Sequence, residues 1–228
     1  MGRLATAGRR PQAAGMQGSK EPCEPRWLQL ARRVQAIAQT GLAYTEGMYD
    51  RQRYLELTEL AAELMACASG MAAEPVRELF LAQTGYATPK VDVRAAVIQD
   101  HHILLVQEAE DGLWTLPGGW ADVNDAPSVA VRREVREEAG LEVRVTKLAM
   151  LLDRSLHPHQ PPFAFHVYKL FFLCEPVGGS LQPGLETRAA AFFARDELPP
   201  LSRTRVLPEQ IHRLFEHARQ PGLPTDFD

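Results

Sequence analysis

The segment RREVREEAG, residues 132–140, places Glu134, Glu137 and Glu138 close together, with Arg133 beside them. On a helix of 3.6 residues per turn, Glu138 lies about 40° to one side of Glu134 and Glu137 about 60° to the other. Val131 and Val135 fall beside that arc. The helix therefore buries an apolar stripe and carries carboxylates along its edge. Two carboxylates about 5.5 Å apart repel by about 3 kcal/mol at an effective dielectric of 20. Three of them, partly buried, need a cation nearby to stay ionised. A solvated charged face is the competing reading, and composition by itself favours it.

The flanking residues shift that balance. LPGGW, residues 116–120, follows the strand-like ILLVQ at 103–107. Its glycines allow the backbone to approach an ion or a ligand closely. Asp125 is read as an N-cap, with Pro127 just inside the helix and Gly140 as its stop. The unit reads strand, glycine turn, loop, capped helix, stop. It brings a turn carbonyl near a row of carboxylates, and oxygen donors of this kind suit a hard cation such as Mg²⁺.

Residues 119–141 resemble the Nudix box, G-x5-E-x7-R-E-U-x-E-E-x-G-U, where U is apolar. Gly119 opens the pattern, and Arg133, Glu134, Val135, Glu137, Glu138, Gly140 and Leu141 fill it in register. Asp125 stands where the family has Glu, which puts rate and metal affinity in question but not the fold. The resemblance implies a Mg²⁺ or Mn²⁺ site made by Glu134, Glu137, Glu138 and the Gly119 carbonyl. It implies that Arg133 orients a box carboxylate. The general base comes either from the box, as Glu134, or from a later loop. Glu186, just before a strand, resembles the position of that loop residue, and a solvated loop Glu is the alternative. Trp114 and Trp120 flank the glycine turn and are candidates for stacking on a nucleobase; a core role is open for both. His157 and His159 lie among prolines without a nearby carboxylate and are read as loop residues.

The chain has 228 residues, 45% hydrophobic and 24% charged, with a net charge of −4. These are ordinary values for a soluble globular protein. No dense basic stripe appears, which argues against a nucleic-acid surface. No apolar run reaches membrane-spanning length. Cys23, Cys67 and Cys174 form no CxxC, so neither a zinc site nor a disulfide framework is implied, and a reducing cytoplasm fits.

Residues 1–23 read as a disordered tail. Residues 24–84 read as a helical domain of three amphipathic helices. Trp27, Leu30, Ala31, Val34 and Ala38 face inward on the first; Tyr54, Leu57, Leu60, Ala61 and Leu64 on a second capped by Asp50; Val76, Leu79 and Phe80 on a third opened by Pro75. From 91 the period changes to that of strands: a pair joined through Asp100-His101, LEVRVTKLAMLLD, FAFHVYKLFFLCE at 163–175, and AAAFFA. A last helix covers about 208–218.

The expected fold is α+β, a Nudix-type mixed-sheet α/β/α sandwich over 91–228, preceded by the small helical domain. With that domain, the chain resembles the Nudix branch that hydrolyses nucleoside diphosphates linked to another group, of the CDP-choline or ADP-ribose type. Members with the helical segment are dimeric, so a homodimer is expected here. Two other functional classes stay open: a house-cleaning hydrolase of oxidised nucleoside triphosphates, and a non-catalytic nucleotide sensor.

Overall fold

The computed structural model describes residues 23–70 and 72–228. The expected tail lies outside the described residues, apart from Cys23, whose backbone N–H donates to Ser155 O.

Three helices come first: α1 (Arg26–Tyr44), α2 (Met48–Ser69) and α3 (Ala73–Leu81). Leu28, Ala31, Ala61, Ala62, Met65, Val76 and Phe80 form their shared core. Small residues on the facing turns let α1 and α2 pack closely. The apolar faces differ from the expected ones. Thr58, Ala61, Ala62, Met65 and Ala66 are the buried residues of α2, whereas Leu60 and Leu64 are exposed, as is Leu79 on α3. The expected stripe is thus split, with one edge inside the bundle and the other facing solvent. Asp50 does not cap α2; Gly47 holds the cap position and Asp50 sits in the first turn. Pro75 is the third residue of α3, within the first turn, where its missing N–H costs no helical bond.

The remainder is built on seven strands: β1 (Lys90–Gln99), β2 (His102–Glu108), β3 (Trp114–Thr115), β4 (Leu141–Asp153), β5 (Val167–Gly179), β6 (Thr187–Ala194) and β7 (Asp226–Phe227). The order is β3-β2-β1-β5-β4-β7, with β6 paired to β2. β1 runs parallel to β5 and β4 antiparallel to it, so the sheet is mixed. The β1–β2 turn is formed by Asp100 and His101, both at positive φ (49° and 63°). That is the backbone a two-residue hairpin demands. β5 starts at Val167 rather than 163, because residues 163–166 leave the sheet to meet the helical domain: Phe165 packs against its core.

Two helices cover the strands, α4 (Pro127–Ala139) and α5 (Pro208–Arg219). Val93, Ala95 and Val97 of β1 pack with Ala130, Val131, Val135 and Ala139 of α4. Ala96 packs with Ile211 and Leu214 of α5. Successive side chains of a strand point to opposite faces, so β1 is buried on both. This is the expected α/β/α layering. Between β6 and α5 the chain is irregular, and the last helix, expected over about 208–218, spans Pro208–Arg219.

Candidate active site

The glycine turn is docked on β1 through backbone bonds. Ala95 N donates to Pro117 O (2.8 Å) and Val93 N donates to Gly119 O (2.9 Å). Gly118 takes φ +142°, and a Cβ there would stand 2.0 Å from Val93 O. Only glycine fits so close an approach. The freed Gly118 N–H donates to Glu138 Oε2 (2.9 Å). Gly119 faces the other carboxylate: a Cβ on it would lie 3.2 Å from Glu134 Oε2. The turn and the helix carboxylates are therefore in direct apposition.

Helix α4 starts differently from the expectation. Ala126 occupies the cap position without a side-chain bond, so Asp125 is not the N-cap. Its carboxylate lies instead 3.4 Å from Arg133 Nε. Arg133 gathers four acids: Asp122 (2.9 Å), Asp125, Glu134 (3.0 Å) and Glu137 (3.1 Å). Burial disfavours its charge, but the Glu134 and Glu137 carboxylates outweigh this, and its pKa is raised. Gly140 closes the helix in the left-handed conformation, as expected.

The carboxylates differ in environment. Glu138 is buried, and burial pushes its pKa up to about 8, against the opposing pull of Arg94 and the Gly118 N–H. Glu134 is also raised by burial, with Arg133 opposing and Glu137 and Glu186 adding repulsion. Glu137 is turned to Arg133 and is half exposed. It does not share the desolvated site in this arrangement, and to that extent the expected three-carboxylate ligand set is not assembled.

Glu186 is exposed, yet close enough for its charge to act on Glu134. The loop before it is tied to the end of α4: Gly184 N donates to Glu138 O (3.2 Å), and Thr187 Oγ1 donates to the same oxygen (2.8 Å). A Cβ on Gly184 would meet Glu137 O at 1.8 Å, so this contact too requires glycine.

Sequence reasoning missed a buried charged group beneath the turn. Asp92 and Arg94 on β1 and Lys169 on β5 are all buried. Arg94 Nη2 lies 2.8 Å from Asp92 Oδ1, Lys169 pairs with the other oxygen, and Arg94 Nη1 donates to Leu116 O (3.1 Å). Arg94 reaches electrostatically to Glu138 and to Glu108 on β2. The signal was present as charges in VDVRAAV, but the strand's apolar alternation masked it.

The aromatic candidates separate. Trp114 packs edge-to-face on Phe193 (4.7 Å between ring centres) and against the α5-side core, away from α4. The structure does not bring it to the carboxylates. Trp120, next to Gly119, is 48% exposed and stacks on Phe163 (6.1 Å, 26° between planes). His157 Nε2 lies 2.9 Å from Asp228 Oδ2. His159 is buried, between Arg203 O and the Gln210 amide. Neither is near a metal-ligand set.

Among the described residues, no three His, Cys, Asp or Glu side chains form a ready set of ligands. Glu134 and Glu138 nevertheless suit a hard divalent cation. Both are carboxylates disfavoured by burial, both face the turn, and Mg²⁺ commonly takes one or two protein carboxylates and fills its shell with water and phosphate oxygens.

Comparison with known proteins agrees with this geometry. Residues 88–214 match the NUDIX domain model, and residues 25–80 match the model described as UDP-X-like, N-terminal oligomerisation domain. The chain belongs to the Nudix family and is a pyrophosphohydrolase of that family. It is 44% identical over 205 residues to the YjhB protein of Bacillus subtilis, named provisionally an ADP-ribose pyrophosphatase, covering 90% of this chain and 98% of the relative. A crystal structure of a UDP-X diphosphatase matches with TM-score 0.58 and 33% identity, over 89% of this chain and 98% of that one. A Streptococcus suis ADP-ribose pyrophosphatase structure matches with TM-score 0.55 and 42% identity, over 62% of this chain and all (100%) of the other. No helix among the described residues is long and apolar enough to cross a membrane.

Proposed function

We propose that the protein hydrolyses the pyrophosphate bond of a nucleoside diphosphate linked to a second moiety, with ADP-ribose as the type substrate, and that it works as a homodimer with Mg²⁺ or Mn²⁺. The observation that carries the reading is the apposition of Glu134 and Glu138 to the Gly118–Gly119 turn, both carboxylates raised by burial. A cation held there would offset phosphate charge and lower the pKa of an attacking water.

Each residue then has a task. Glu134 and Glu138 hold the cation. The Gly118 N–H fixes Glu138, and Arg133 fixes Glu134 while balancing its acidic neighbours. Glu186, on the loop fastened to α4, accepts a proton from the attacking water. Trp120 offers an exposed ring face beside the turn for the nucleobase.

The helical domain supports the dimer. Ile37, Tyr44, Met48, Tyr49 and Leu60 are 50–72% exposed on it, and the matched domain model is described as an oligomerisation domain. The ADP-ribose class is favoured by the YjhB relative, which aligns along nearly its whole length.

The test is turnover on a panel of ADP-ribose, CDP-choline, UDP-sugars and oxidised nucleoside triphosphates, before and after chelation. The expected result is cleavage of a nucleoside diphosphate-X compound that stops on chelation and returns with Mg²⁺ or Mn²⁺. Preference for the triphosphates, or turnover that survives chelation, overturns it.

A further inference from the structure

Three side chains outside the catalytic carboxylates form a buried lock between the helical domain and the catalytic domain. Glu24 precedes α1, Arg32 lies on it, and Arg154 follows β4. All three are nearly withdrawn from solvent, with side-chain exposures of 3%, 12% and 5%. The Glu24 carboxylate takes Arg32 on both oxygens and Arg154 Nη1 on one (3.2 Å). The two guanidinium groups have donors left over, and these bind one loop. Arg154 Nη2 donates to Pro161 O (2.8 Å), and Arg32 Nε donates to Phe163 O (3.1 Å).

That loop carries the ring on which Trp120 stacks. Arg154 lies over the Phe163 ring at 5.6 Å, and Phe163 also meets Phe165 edge-on (5.8 Å). One face of Trp120 is thus backed by Phe163, while nearly half of its surface stays open. An exposed Trp on a loop would otherwise sample several rotamers. A ring supported from behind is prepared to stack on a ligand and loses less freedom when it does.

We propose that Phe163 is a positioning residue for substrate recognition, and that Glu24, Arg32 and Arg154 hold it there. The helical domain in this way sets the orientation of Trp120, which is where a nucleobase stacks. The inference rests on the base-binding role given to Trp120 above, and its test separates the two.

Kinetics on ADP-ribose are measured for Phe163→Leu, Arg32→Lys and Trp120→Leu in the full-length chain. Phe163→Leu leaves the buried ion network whole. Arg32→Lys keeps the charge but loses the planar fork that serves two partners at once. Loss of one aromatic support corresponds to a KM raised about threefold to tenfold for Phe163→Leu, with kcat changed by less than about twofold. Arg32→Lys shifts KM in the same direction. In a Trp27→Phe/Trp114→Phe background, Trp120 is the sole tryptophan, and its emission moves to the red when Phe163 is replaced.

A raised KM for Trp120→Leu with none for Phe163→Leu overturns the positioning role and leaves the base-binding role standing. An unchanged KM for Trp120→Leu overturns both. A loss in kcat for Phe163→Leu that follows a lowered melting temperature also contradicts the proposal, since it marks general disturbance of the fold.

Discussion

At the residue scale, charge and burial decide what each carboxylate can do. Glu138 is the most desolvated of the box acids. Its amide variant, Glu138→Gln, keeps the shape and loses the charge that a cation requires. The expected loss in kcat is about a hundredfold or more, roughly 2.7 kcal/mol of barrier. A loss of about tenfold or less in a steady-state assay would remove Glu138 from the ligand set. Asp125 is a different case. Its carboxylate reaches Arg133 rather than a helix N–H, and Arg133 has three other acids to hold it. Asp125→Glu is expected to change kcat/KM by about threefold or less. A much larger loss would mean that Asp125 orients Arg133 in a way its neighbours cannot replace.

At the element scale, the site depends on how closely a turn, a strand and a helix approach. Gly118→Ala would force a methyl carbon to 2.0 Å from Val93 O. The turn must then leave β1, and both the Gly118–Glu138 bond and Gly119's contact with Glu134 go with it. Loss of activity should exceed the loss of stability, read as a kcat drop at temperatures well below the melting point. Full activity in this variant would detach the turn from catalysis.

The box itself was legible in the sequence because its chemistry and its helical period coincide within 23 residues (119–141). What was not legible involves tertiary partners. Asp125 has a good capping side chain, but the chain enters the helix one residue later and Arg133 claims the carboxylate. Asp92, Arg94 and Lys169 are spread over 78 positions of sequence (92–169) and meet only because β1 and β5 pair in register, Asp92 opposite Lys169. Trp114 and Trp120 flank the same turn, and nothing local separates them; the partners Phe193 and Phe163 do.

At the scale of the whole molecule, burial couples stability to pH and exposure points to assembly. His159 lies buried on the connection from β4 to β5, its Nδ1 facing Arg203 O and its Nε2 facing the Gln210 amide. Burial, aided by the charges of Lys169 and Arg154, holds its pKa down to about 3. Between that value and the ordinary one of about 6.5, the unfolded chain binds a proton that the folded chain does not. Its contribution to stability is therefore whole above about pH 6.5 and falls as pH drops, by up to about 1.4 kcal/mol per pH unit. Denaturant unfolding at pH 7.5 and 5 should show that slope in the wild type and a flatter one in His159→Gln. Equal slopes would contradict it.

The proposed dimer belongs to the same scale. Ile37 and Leu60 are at least half exposed on helices whose other faces are buried. Ile37→Glu should halve the mass measured by sedimentation at micromolar concentration, since an unpaired charge inside an apolar contact is costly. A wild-type monomer, or a variant dimer of unchanged affinity, would count against it.

The central claim is that the carboxylates of α4, set against the Gly118–Gly119 turn, cleave a pyrophosphate bond between two organic groups. The direct measurement is ³¹P NMR of ADP-ribose incubated with the full-length protein and Mg²⁺. The account predicts that the diphosphate signals disappear and two monophosphate signals replace them, those of AMP and ribose 5-phosphate. Diphosphate signals that persist with either Mg²⁺ or Mn²⁺, while a nucleoside triphosphate is consumed to pyrophosphate, would contradict it.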